Sequence, residues 1–124
     1  MDAFRTEYLR DSAATMRKYK SLADQSLARV SDEQFFAALD AESNSLAVVV
    51  KHMAGNLLSR WTDFLTTDGE KPGRDRDSEF EIGPPESRAA VMARWGAGWA
   101  TAWRLSTATS PGSTAPYSCS TSSR

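Results

Sequence analysis

The stretch Leu46-Ala47-Val48-Val49-Val50-Lys51-His52-Met53-Ala54-Gly55-Asn56-Leu57-Leu58-Ser59-Arg60-Trp61-Thr62-Asp63-Phe64 decides the fold. Within it Leu46, Val50, Met53, Leu57, Trp61 and Phe64 recur at intervals of 4, 3, 4, 4 and 3, the seam of an amphipathic helix packed in a bundle. Asn44 or Ser45 is placed to cap its start, because a short side-chain oxygen can accept a free backbone N–H there. The helix is expected to end near Thr67, before the turn pair Asp68-Gly69.

Toward the N-terminus, Phe4, Tyr8, Met16, Tyr19, Ala23, Leu27 and Val30 recur mostly three and four residues apart, with no glycine or proline before Gly55. This predicts a long first helix on a single seam. Ser31-Asp32-Glu33-Gln34 has the Ser-x-x-Gln form of a capping box, in which hydroxyl and amide each satisfy a free backbone N–H. A short helix through Phe35, Phe36 and Leu39 follows, ended by the polar stretch 40–45.

Toward the C-terminus, residues 71–85 combine adjacent prolines, glycines and alternating charge, which predicts a long surface loop with little regular structure. Pro85 is placed to open a last helix with Glu86 in its first turn. That helix carries Val91, Met92, Trp95, Trp99, Ala102 and Trp103 on one side. Gly96 and Gly98 weaken it by about 1 kcal/mol each relative to alanine. Three long helices, one short helix and no strand predict an all-α fold, a compact or incomplete helical bundle. From Ser106 to Arg124, 11 of 19 residues are Ser or Thr, too little apolar surface to offset the entropy of ordering. The chain is therefore read as a helical domain over residues 1–105 and a Ser/Thr-rich disordered tail over 106–124.

At 124 residues the chain has room for one core. Lys+Arg 15 against Asp+Glu 16 gives a net charge of -1, so no overall field draws it to nucleic acid or anionic lipid. The longest aliphatic run, Leu46-Ala47-Val48-Val49-Val50, is far short of the roughly 20 residues that cross a bilayer. Met1-Asp2-Ala3-Phe4-Arg5 lacks the apolar core of a signal peptide, and the single cysteine, Cys119, can form no internal disulfide. A cytoplasmic protein with no nucleic-acid and no membrane partner is expected.

His52 is the only imidazole and lies about 130° from the apolar seam of its helix at 3.6 residues per turn. It shares that side with Val48, Asn56, Ser59 and Asp63, which either face water or line a polar cavity. A lone histidine lacks the companions of a metal site or a catalytic triad. Asp75, Asp77, Glu79 and Glu86 fall at positions 1, 3, 5 and 12 of a calcium-loop spacing, but the sixth position, where a sharp turn needs glycine, is Phe80. With Lys71, Arg74 and Arg76 interleaved, the stretch reads as a salt-linked loop and a poor phosphate cradle. Trp95, Trp99 and Trp103 line one helical face and read as core packing or a partner surface. Cys119 has no base or helix start nearby to activate it. No Gly-rich phosphate loop, Gly-x-Ser-x-Gly elbow or cysteine pair occurs.

The block that begins Glu42-Ser43-Asn44-Ser45 and runs through the helix above to Thr67-Asp68-Gly69-Glu70-Lys71-Pro72 is distinctive as a unit. Together with Arg74-Asp75-Arg76-Asp77-Ser78-Glu79-Phe80-Glu81, Glu86-Ser87-Arg88 and the earlier Tyr19-Lys20-Ser21-Leu22, it resembles an uncharacterised branch of the DinB/YfiT-like superfamily. The resemblance covers roughly the first 100 positions. Gly73, where this branch often has tryptophan, and Gly96 are small departures.

The resemblance implies an up-down-down-up four-helix bundle, often dimeric, whose members hold a divalent metal (zinc, nickel or similar) through three histidines and in some cases transfer thiols or act as isomerases. It carries a metal-ligand role onto His52 and turns the Val48/Asn56 face into the bundle. The His-x-x-x-His pair that such relatives carry on a fourth helix has no counterpart here. The expectation is a bundle lacking its fourth helix, with metal weak or absent, catalytic residues and small-molecule substrate unknown, and no activity of its own. The tail then reads as an out-of-frame ending of a longer ancestral gene, which resequencing beyond the stop codon tests. The alternative is a non-catalytic helical protein stabilised as a homo-oligomer through the groove between the second long helix and the Trp stripe.

Overall fold

In the computed structural model, which describes residues 2–83 and 86–108, the chain forms α1 (Asp2–Ala28), α2 (Asp32–Phe36), α3 (Leu46–Trp61) and α4 (Arg88–Ala108). A 3-10 turn spans Asp77–Phe80, and no strand occurs among the described residues. The expected all-α fold of three long helices and one short one is what forms. No helix is long and apolar enough to cross a membrane among the described residues. Of the disordered tail expected over 106–124, residues 106–108 continue α4 instead, and the rest, with Cys119, lies outside the described residues, as does Pro85.

The helix starts follow local chemistry. Ser31 Oγ accepts from the Gln34 N–H at 3.2 Å and Gln34 Oε1 accepts from the Ser31 N–H at 2.9 Å, which completes the capping box. Ser45 Oγ accepts from the Val48 N–H at 3.2 Å to cap α3. The helix ends differ from expectation. α2 stops at Phe36, leaving Leu39 outside it and exposed. α3 ends at Trp61 rather than near Thr67, because the chain turns at Asp63, whose φ of 49° lies in the left-handed region. Phe64 therefore does not extend the seam. α4 begins at Arg88, where the Ser87 hydroxyl accepts from the Ala90 N–H at 3.1 Å, so Glu86 sits before the helix instead of in its first turn.

The core gathers Leu27 of α1, Phe35 of α2, Ala47 and Val50 of α3, and Val91, Trp95 and Trp99 of α4. The Trp stripe is thus core at Trp95 and Trp99, which meet edge to face with centroids 5.6 Å apart. Trp95 Nε1 donates to Asp24 Oδ1 at 2.9 Å, and Arg17 lies over the Trp103 ring, which ties α1 to α4. Arg88 closes the other end: it donates to the carbonyl of Leu27 in the last turn of α1 at 2.7 Å and to that of Val30 just beyond the helix at 2.8 Å. These contacts pair the end of α1 with the start of α4, so the two helices are antiparallel.

The expected seams are partly rephased. On α1 only Met16, Ala23 and Leu27 face the core, whereas Phe4, Tyr8 and Tyr19 are exposed on another side. On α3, Leu46 and Met53 are surface residues while Lys51, only 6% exposed, is inside. Gly98 permits the close crossing of α3 and α4, since a Cβ there would come 3.1 Å from both the Ala54 carbonyl oxygen and Leu57 Cβ.

Candidate functional site

The buried polar side of α3 explains the long connection that follows. Residues 69–83 retrace the helix from its C-terminal end toward its start. Ser59 Oγ donates to the Gly69 carbonyl, and Lys71 Nζ donates to the Ser59 carbonyl at 2.6 Å. Further back, Glu79 reaches His52 over Gly55. At the start of the helix, Lys51 Nζ donates to the Glu81 carbonyl and pairs with Glu86 Oε1, both at 2.7 Å. The expected surface loop is thus a strap laid along α3, and it delivers α4 to the same end at which α3 begins.

Glu79 is the centre of the strap. Its side chain is 3% exposed and accepts from Arg74 Nε at 2.8 Å, from Arg74 Nη2 at 3.1 Å and from His52 Nδ1 at 2.8 Å. Burial alone would raise its carboxyl, but the Arg74 and His52 bonds outweigh it and hold the group below its ordinary value of 4.5. The carboxylate is therefore ionised near neutral pH and can only accept, so in the neutral ring the His52 proton sits on Nδ1 and the lone pair on Nε2. Phe80 packs against the imidazole with ring centroids 5.0 Å apart. Gly55 makes the arrangement possible, because a Cβ there would overlap the Glu79 carboxylate.

The structure therefore gives His52 a partner that helical spacing did not. Of the residues expected on its side, Ser59 bonds to Gly69 instead. The calcium spacing is not realised: Glu79 is committed to Arg74 and His52, and Glu86 to Lys51, which holds the Glu86 carboxyl below its usual range. Lys51 and Arg74 carry the site and were not singled out by hydropathy. A usable signal was the interval of four from Lys51 to Gly55 to Ser59, a polar and small-residue stripe on an otherwise apolar helix.

The described residues do not fit a resident divalent metal. No three of His, Cys, Asp and Glu come together among them as a metal-holding group, and both oxygens of Glu79 are already engaged. One imidazole nitrogen remains, where a closed or catalytic site needs three or four protein ligands.

Residues 3–108 match the family described as "Protein of unknown function (DUF1572)". The chain belongs to this family, which is DinB-like. No curated protein and no solved structure gives a significant match.

Proposed function

We propose that this chain is a DinB-like helical protein that presents a single oriented imidazole, His52, and does not by itself form a metal centre. The observation that carries the reading is the His52–Glu79–Arg74 chain, which fixes the ring and leaves Nε2 without a partner among the described residues. A carboxylate on one ring nitrogen is how ligating histidines are commonly oriented for their other nitrogen to bind. Metal-dependent thiol transfer or isomerisation, implied by the DinB/YfiT-like resemblance, needs two further donors and is assigned here only to relatives that possess them. Uncovered apolar side chains on α3 (Leu46, Val49, Met53) favour association with a second copy as the companion reading.

Equilibrium dialysis against micromolar zinc and nickel, with sedimentation of the same samples, tests both readings. The expected metal content is well below one per chain and unchanged in His52→Ala, in a species larger than a monomer. Stoichiometric metal that disappears in His52→Ala would overturn the first reading, and a strict monomer the second.

A further inference from the structure

We propose that the cleft between α3, the strap and α4 is a binding site for a small organic acid, most simply one bearing a phosphate or carboxylate group on a compact apolar body. The cleft holds about 450 Å³ and is lined by Gly55, Leu58 and Thr62 of α3, Lys71, Gly73 and Arg74 of the strap, and Arg94 of α4 among others. That volume lies within the range of small-molecule sites.

Three cations meet there, each with donors to spare. The Arg94 side chain forms no ion pair or hydrogen bond with any described residue and acts on Glu86 only at longer range. Lys71 donates to two backbone carbonyls, of Ser59 and Asp68, and faces no carboxylate of the described residues within ion-pair distance. Arg74 spends Nε and Nη2 on Glu79 and keeps Nη1. Against these stand Glu79, paired with Arg74 and bonded by His52 Nδ1, Glu70, which acts on Arg74 without an ion pair, and Asp75, which accepts from the Ser78 N–H at 3.3 Å.

In the sequence Lys71 and Arg74 alternate with acids, which makes the segment look like a poor anion cradle. The fold sorts the charges: Glu79 is turned down onto α3, Glu86 is taken by Lys51, and Arg94 arrives from another helix. An acidic group between Arg94 and Lys71 would gain charge-assisted hydrogen bonds without displacing an existing ion pair. Leu58 and the open space at Gly73, where an added Cβ meets nothing within 4 Å, leave room for an apolar body beside it. The cleft is independent of the bare Nε2 of His52, so this inference does not rest on the proposed function.

Phenyl phosphate and inorganic phosphate are the probes, titrated by calorimetry and ligand-observed NMR into the full chain. Phenyl phosphate is expected to bind at millimolar concentration or below and more tightly than inorganic phosphate. Arg94→Gln, an exposed change, is expected to weaken binding at least about tenfold with no change in the unfolding midpoint. Gly73→Trp, which inserts bulk while keeping every charge, is expected to weaken phenyl phosphate more than inorganic phosphate. Equal binding by the wild type and Arg94→Gln overturns the proposal, as does failure of phenyl phosphate to bind at 10-fold above millimolar concentration.

Discussion

Glu79→Ala is expected to lower the unfolding free energy at neutral pH by about 3 kcal/mol, because it strips the partner from a guanidinium whose side chain is only 12% exposed and releases His52. A domain of this kind has only about 5–15 kcal/mol in total, so the variant should be mostly destabilised rather than locally altered. Glu79→Gln keeps the shape and is expected to cost less, about 1–3 kcal/mol. The effect should depend on pH in one direction. The Glu79 carboxyl is held below its ordinary 4.5 in the folded chain, so its contribution is complete above that value and is lost as pH falls through the depressed one. Denaturant unfolding at pH 5 and pH 3 should therefore show the gap between wild type and Glu79→Ala shrinking in acid. A gap that is constant or widens would contradict the role given to the carboxylate.

Trp95→Ala is the second large effect expected, at about 3–5 kcal/mol for an aromatic removed from a packed core. Trp95 is 3% exposed, stacks edge to face on Trp99 and carries one of the few polar ties between α1 and α4, its bond to Asp24. The loss should fall hardest on α1, whose Phe4, Tyr8 and Tyr19 are exposed and contribute nothing to holding it. Hydrogen exchange is expected to show α1 amides opening before those of α3 and α4. Trp95→Phe, which keeps most of the packing and drops the bond, should cost clearly less. Stability within about 0.5 kcal/mol of wild type in Trp95→Ala would sink this account of the core.

Helix existence was readable because it depends on neighbours in sequence. The Ser31–Gln34 box and the Ser45 cap act over three residues, and the i, i+4 spacing of Trp95 and Trp99 needs only the helical period to put both inside. What was misread depends on distant partners. Lys51 is buried because Glu86 and the Glu81 carbonyl, at least 30 residues on, receive its ammonium. Hydropathy placed Met53 inward instead, whereas it is 44% exposed. Glu79 looked like one more solvated acid in a charged loop, since nothing local distinguishes it from Asp75 or Asp77. Its burial follows from Gly55, whose missing side chain on another element makes the space. The DinB-like resemblance drew attention to His52, but its ring is oriented by the strap, which periodicity cannot reach.

The central claim is that Glu79 fixes His52 as the Nδ1–H tautomer with Nε2 bare. Because His52 is the only histidine in the chain, its imidazole nitrogens can be read without assignment ambiguity in a long-range proton–nitrogen NMR spectrum of labelled protein. In the neutral ring the account requires a protonated Nδ1 and an unprotonated Nε2, with that preference lost in Glu79→Gln. A wild-type spectrum showing the proton on Nε2, or a freely exchanging mixture identical to that of Glu79→Gln, would contradict it.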